Sequence, residues 1–345
     1  FDYIKRVSVF YLAVYGTYLL TNWLFSLITD NTNRIWVYRA SIIVKLIFVL
    51  VIIFYGKNLA NMLILSGILY GISESCYYSS YNVLKQEMVS RKIISKYSIF
   101  STICETAIDI ILPFTLGALI QISNYTEISI YMAVIVSIML VLSFFIKSKK
   151  PYDSKYSIPQ FIKKLKANPQ THKKVKFLFF ITFIYGLTTA VKTTLNICIM
   201  LQFNSTMSLG GITSIIGAIT IVELLLINKF TKPAKRNYLY IITAILPIIS
   251  SIIFVVYPSM ATIIIFNLLS AGSRIFFGTF YEVCRNGILK EAGLYSEIAE
   301  YEAIVEDLFA WARVFSFSIL ILVGLSYNAT AFNIMLIILT LSYTI

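Results

Sequence analysis

The chain has 345 residues, 58% of them hydrophobic and only 13% charged, with a formal net charge of +13 and a mean hydropathy of +0.81. Soluble globular domains carry about 25% charged residues, so this composition excludes one. Apolar runs recur along the chain, each near the ~20 residues that a helix needs to cross a ~30 Å hydrocarbon core. They lack the two-residue alternation of barrel strands, which excludes a β-barrel and leaves an all-α polytopic membrane protein.

Taken in chain order, eleven spans are expected over residues 8–28, 35–54, 60–83, 97–121, 129–146, 177–201, 207–228, 238–257, 260–284, 303–325 and 329–345. Loops 29–34, 84–96, 147–176, 229–237 and 285–302 then share one side and gather most of the 29 Lys and Arg. The opposite loops contain only Lys57, with Lys5 and Arg6 as the exceptions before the first span. The positive-inside rule places the basic loops in the cytoplasm. The charge therefore reports topology and anionic headgroups rather than nucleic acid. Cys76, Cys104, Cys198 and Cys284 lie in or beside apolar runs without CxxC spacing, so neither a disulfide framework nor a metal site is expected. The chain opens on Phe1 and ends on Ile345 within an apolar run, and a fragment trimmed at both ends is expected.

The polar run Lys147–Lys176 holds ten lysines against one acid, Asp153, together with His172 and three prolines. It divides the chain into an N-terminal transmembrane half (1–146), a basic cytoplasmic linker (147–176) and a C-terminal transmembrane half (177–345). Within the linker, Ile158, Phe161, Ile162 and Leu165 recur at helical spacing among Lys163, Lys164 and Lys166. That pattern predicts a short amphipathic helix on the cytoplasmic leaflet, with its lysines near anionic headgroups. Five spans precede the linker and six follow it, so equal halves imply a twelfth at the N-terminus. Asn82-Val-Leu-Lys-Gln-Glu87 and Asn286-Gly-Ile-Leu-Lys-Glu291 sit at one offset of 204 residues, as do Tyr97 and Tyr301, Asn33 and Asn237, and Asp109 and Arg313. Paired repeats around a mid-membrane site are the architecture of many secondary transporters.

The loop Asp30-Asn31-Thr32-Asn33-Arg34-Ile35 resembles the signature of the major facilitator superfamily after its second helix, an Asp, a basic residue, any residue, Gly and two basic residues. The Asp and one Arg are kept. Asn33 replaces the Gly, a mild change if the loop needs a left-handed turn. The span layout and long central loop are similar to that superfamily over the whole chain. Asn82, Gln86, Glu87, Glu306 and Arg313 resemble a bacterial group within it, the YqgE-like transporters. The resemblance implies that the spans are helices 2 to 12, with helices 4, 7 and 10 lining a cavity and 3, 6, 9 and 12 facing lipid. Helix 3 (35–54) departs from this with Lys45, which is expected to snorkel to the interface, beside the boundary residue Arg39.

An ionisable group at the bilayer centre costs about 2.5–3.5 kcal/mol or more on insertion scales, which makes each one a functional candidate. Asp109 and Arg313 are the most central, and Glu105 lies one turn before Asp109; two close carboxylates suit proton coupling, against a purely structural ion pair. Glu74, Lys192 and Arg274 fall on the implied cavity helices, and Tyr77 and Tyr81 share the face of Glu74. Gly67 and Gly71 have the spacing of a close helix contact. Asp30, Arg34, Glu223, Glu282, Glu302 and Glu306 lie toward the cytoplasmic ends and are candidates for a gate, with N-terminal capping as the plainer account of Glu302. Asn124-Tyr-Thr, Asn204-Ser-Thr and Asn328-Ala-Thr match glycosylation acceptors, but their loops hug the membrane and are expected to be unmodified.

These residues predict a secondary active transporter of a small solute, working by alternating access and coupled to protons, monomeric and multi-pass in a bacterial plasma membrane. No cofactor, metal or nucleic acid is expected, and no enzymatic activity. A lipid flippase is the alternative on the same fold. A membrane-embedded lipid enzyme lacks a Ser/His/Asp or Cys/His set, and a non-transporting receptor would pair every intramembrane charge and leave no cavity.

Overall fold

The computed structural model describes residues 2–89, 94–147, 156–202, 211, 214–219, 221–222, 236–293, 297–326 and 328–343. Among these residues the secondary structure is entirely helical. The helices are α1 (Asp2–Asn31), α2 (Arg34–Tyr55), α3 (Leu63–Met88), α4 (Ile94–Ile122), α5 (Tyr125–Ser143), α6 (Ile158–Ala167), α7 (Pro169–Gln202), α8 (Arg236–Val256), α9 (Met260–Ala292), α10 (Ile298–Ser326) and α11 (Ala329–Thr340). Short 3₁₀ segments cover Gly56–Met62 and Leu341–Tyr343. Over the described residues, Ile4–Asn31, Arg34–Tyr55, Thr126–Ser143, Pro169–Thr194 and Ile298–Ser326 are long and apolar enough to cross a membrane. The expected span 207–228 lies mostly outside the described residues.

Large side chains point outward where a soluble protein would carry charge. Trp36, Ile43, Ile47 and Phe54 of α2, Ile130, Val134, Ile138 and Val141 of α5, and Ile241, Ile249 and Val256 of α8 are all exposed. Contiguous apolar surface of this extent requires an apolar solvent, and the bilayer supplies it. Between α2 and α5 the surface forms a groove of about 540 Å³ lined by residues such as Leu50, Ile53, Ile130 and Ile138. The two helices are joined through Val49 and Val136, and through Arg39, which donates to the Ser143 carbonyl (3.3 Å) while lying over the Phe144 ring.

Packing divides the helices into two groups that follow chain order. α1, α2, α3 and α5 pack on one another, and α7, α8, α9, α10 and α11 form the second set. The groups meet chiefly along α1 and α10, with α3 also touching α10. Close approach within each group comes from small residues. A Cβ on Gly67 would stand 2.7 Å from the Ala13 Cβ, and one on Gly71 would stand 2.4 Å from the Val14 carbonyl oxygen, so the predicted glycine pair is where α3 rests on α1. Gly186 does the same for α7 against Ala312 of α10, where a Cβ would lie 2.6 Å from its neighbour.

Three local expectations are corrected. Asn33 is not in a left-handed turn: its φ is −73°, and its side chain accepts the Ile35 N–H as the cap of α2, which explains an Asn where a Gly was expected. The predicted linker helix exists as α6, but its apolar face turns onto the protein. Phe161 and Leu165 are buried against Val83, Val175, Leu178 and Tyr301. Lys45 does not snorkel; it reaches Glu74 on α3 at 3.2 Å. Asn124 and Asn328 serve as helix caps, accepting main-chain N–H groups of Glu127 and Thr330, a role that accounts for them without glycosylation. Asn204 lies outside the described residues. Cys76 is buried and Cys104 exposed.

Candidate functional site

The two groups are tied at the end that carries the basic loops. Glu306, on α10, accepts hydrogen bonds from the Tyr18 hydroxyl of α1 (2.9 Å) and the Asn82 amide of α3 (2.9 Å), so one buried carboxylate joins three helices. One turn along α1, the fully buried Asn22 donates to the Ala303 carbonyl (3.0 Å) and to Asp307 (2.8 Å). These bonds offset the penalty that an unpaired buried carboxylate would carry, while the Asn22 Oδ1 is buried without a donor.

A second layer lies just outside the first. Arg285 of α9 pairs with Glu302 of α10, both almost fully buried, and the guanidinium sits 5.6 Å from the Tyr301 ring centre. Asp30 and Arg34 pair across the α1–α2 turn at 3.4 Å and are likewise buried. Across both groups runs the segment before α6. The Tyr156 N–H is donated to Asp30, and the Ser157 N–H to Glu300 at 3.0 Å. Burial, reinforced by the carboxylates of Glu300, Asp307 and Asp30, pushes the Tyr156 hydroxyl above its ordinary value. Lys164 pairs with Glu297 and Lys174 with Glu291, and the hydrogen bond to Glu297 raises the Lys164 ammonium above the usual lysine value. The linker is thus fastened to the helix ends rather than lying apart from them.

Near mid-span the character changes from carboxylates to phenol rings. Tyr11, Tyr15 and Phe317 stack, with centroids 4.8–5.9 Å apart and ring planes within 19°. Arg313 lies 5.0 Å from the Tyr15 ring centre and 5.4 Å from that of Phe309. On α3, Tyr77 stacks on Tyr81 at 5.1 Å, and the Lys45 ammonium of the Glu74 pair lies 5.6 Å from Tyr77 and 5.8 Å from Tyr70. In the second group, Tyr185 packs on Phe277 and Phe309, and the hydroxyls of Tyr281 and Thr182 meet at 2.7 Å. Among the described residues no cluster of His, Cys, Asp or Glu could hold a metal ion.

The family model described as Major Facilitator Superfamily matches residues 6–293. The chain belongs to the Major Facilitator Superfamily. It is a multi-pass membrane transporter of that family and not an enzyme. Solved structures agree on the fold. A variant of the E. coli fucose:proton symporter superposes with a TM-score of 0.66 at 9% identity, covering 98% of this chain and 89% of its own. The human organic anion transporter TETRAN gives 0.69 at 15% identity, covering 98% and 83%. A bacterial homologue of the iron transporter ferroportin, in an outward-facing state, gives 0.65 at 15% identity, covering 99% and 88%. No curated protein sequence matches the chain significantly.

In this transporter the residues singled out from sequence fall into separate places. Asp30, Arg34, Glu302 and Glu306 gather at the basic-loop end, in the two layers of bonds described above. Glu74, Tyr77 and Tyr81 share one stretch of α3, with Glu74 engaged by Lys45. Lys192 is half-buried on α7. Glu105 is exposed on α4 and accepts a hydrogen bond from Ser101 (2.9 Å), so it is not brought to Arg313. Glu223 and the side chains of Asp109, Arg274 and Glu282 lie outside the described residues. Sequence reading passed over Tyr11, Tyr15, Tyr18 and Asn22. Their steps of four, three and four residues draw a polar stripe down an otherwise apolar helix, and that stripe was the available signal.

Proposed function

We propose that this chain is a secondary active transporter that moves a small solute across a bacterial plasma membrane by alternating access. The observation that carries the reading is the contrast between the two levels of the α1–α10 contact. At the basic-loop end, assigned to the cytoplasm, the direct α1–α10 and α3–α10 ties include discrete polar bonds centred on Glu306, with Val83 adding an apolar contact to the α6 cluster. Such bonds can be exchanged for water as the helix groups rock apart, whereas an interdigitated apolar seam could not open without exposing its core. Glu302, Asp30 and Arg34 belong to the same gate, together with Glu223 and Glu282. At mid-span, Glu74, Tyr77, Tyr81, Lys192 and Arg274 contribute to the solute path, where a polar solute meets both signs of charge and aromatic faces. Proton coupling is assigned to Glu105 and Asp109, four residues apart in α4, and to Arg313 of α10. The protein acts as a monomer, and Lys163 and Lys166 of α6 meet anionic headgroups while Lys164 pairs with Glu297.

Purified protein in proteoliposomes, loaded with a broad panel of labelled solutes under an imposed pH gradient, tests the reading. Gradient-dependent, saturable flux of at least one solute is expected. Absence of flux across the panel, with the protein shown to be folded and correctly inserted, would refute transport by this route. Asp109→Asn leaving the pH dependence intact would remove that residue from coupling.

A further inference from the structure

Arg313 sits near the middle of α10, a helix apolar enough to cross the membrane, and its charge is not taken up by any described residue through a hydrogen bond or an ion pair. Its Nε is buried without an acceptor, while the residue as a whole keeps intermediate exposure. Among the described residues, the Glu306 carboxylate acts on the guanidinium electrostatically but makes no direct bond to it, because its oxygens take neutral donors. Glu306 accepts from Tyr18 and Asn82, and Glu74 is held by Lys45. What Arg313 does have is ring contact, with its guanidinium 5.0 Å from the Tyr15 centre and 5.4 Å from the Phe309 centre. Cation–π contact and the Glu306 charge offset part of the desolvation, but the buried Nε is left without an acceptor and no described side chain takes a hydrogen bond from the fork.

A guanidinium fixed between rings, with donors unspent and an interior position, is built to receive a planar anion. Beside it, Tyr11 and Tyr15 stack against the fully buried Phe317 while keeping intermediate exposure themselves. Their faces offer a flat apolar surface next to the charge. A planar carboxylate or sulfonate offers the paired acceptors that this fork meets on no described side chain, which an amine-bearing solute cannot offer.

We infer that Arg313 is the anion-recognising group of the solute path, and that the solute is an organic anion: a carboxylate, sulfonate or phosphate on a flat apolar body that lies against Tyr11 and Tyr15. The inference rests on the transporter reading above. It gives Arg313 a binding role that is independent of proton coupling.

The test compares charged compounds with their uncharged isosteres on the full-length protein in detergent. Benzoate, benzenesulfonate and naphthalene-2-sulfonate are titrated against benzamide and benzylammonium, with binding read from thermal-shift curves, because a ligand of the native state raises apparent stability. Benzamide should bind at least about tenfold more weakly than benzoate, the factor expected for one lost charge-assisted hydrogen bond. Arg313→Gln should abolish the preference for benzoate over benzamide, and Arg313→Lys should keep the preference with weaker binding. If Arg313→Gln does not fold, the wild-type isostere comparison and Arg313→Lys still decide. Equal binding of benzoate and benzamide, no binding by any anion of the set, or an unchanged preference in Arg313→Gln would overturn the inference. Proteoliposome flux separates this from failure of the transporter reading. Flux of neutral or cationic solutes without anion binding overturns only the anion site, whereas anion binding without any flux supports the site and removes the transport reading.

Discussion

Replacing Glu306 is the sharpest perturbation of the joint between the helix groups. Its carboxylate accepts two hydrogen bonds of 2.9 Å, one from Tyr18 on α1 and one from Asn82 on α3, and both cross from one group to the other. Hydrogen bonds to a charged acceptor are each worth about 1.5–3 kcal/mol net. Taking the lower value for both, Glu306→Ala weakens the joined state by about 3 kcal/mol relative to any state in which the ends have parted, a factor of roughly 150. An equilibrium that stood at about 99:1 in favour of the joined state would then fall to less than half joined. Tyr18→Phe and Asn82→Ala should each give roughly half of the effect, and neither should add to Glu306→Ala, since all three substitutions remove the same bonds. Spin labels at the exposed Asn31 and Lys173, on a background with the other cysteines replaced, place a distance across the basic-loop end. Pulsed dipolar spectroscopy should show one narrow short distance in the wild type and a broad, longer population in Glu306→Ala. An unchanged distance distribution in the folded variant would refute the idea that Glu306 holds the groups together.

The remaining predictions concern packing. Arg285→Met alone, or Glu302→Met alone, strands a buried charge and should destabilise by about 3–5 kcal/mol, whereas the double substitution should recover most of the loss; unfolding temperatures in detergent measure both. Gly71→Ala drives a methyl group onto the Val14 carbonyl and should cost about 1–3 kcal/mol, while Gly16→Ala, which meets open space, should be neutral or slightly stabilising on the same measurement. Phe161→Ala removes a fully buried ring from the linker helix and should cost about 3–5 kcal/mol of local docking. Its readout is faster tryptic cleavage at Lys163, Lys164 and Lys166, and unchanged cleavage would place the stability of α6 elsewhere.

Much of the fold was legible because the bilayer imposes a strict length and composition on each element. Hydropathy alone marks α1, α2, α5, α7 and α10, and the lysines of the linker mark one side of the molecule. Periodicity also found α6, since Phe161 and Leu165 stand one turn apart among lysines. Periodicity states only that an apolar face exists. It does not say whether lipid or protein covers that face, and here protein does. Side-chain pairing was harder to read for a related reason. Lys45 and Glu74 sit on different helices 29 residues apart, and only the packing of α2 on α3 brings them together. Tyr18 and Asn22 escaped because an uncharged polar residue in a span draws little notice until a carboxylate such as Glu306 or Asp307 is placed opposite it.

The segment entering α6 carries a consequence for how this protein can vary. Tyr156 and Ser157 fasten Asp30 on one side and Glu300 on the other through main-chain N–H groups. Every amino acid except proline offers that donor. Side-chain replacement at these two positions leaves both N–H donors in place, so an alanine scan reads the Ser157 cap on Gln160 and the packing of Tyr156 but not the main-chain fastening. A proline would expose it, because it removes the N–H and forces φ near −65° where Ser157 stands at −158°. The cap and the packing constrain these side chains on their own account, whereas the trace of the main-chain fastening in evolution would be the avoidance of one residue rather than the retention of any.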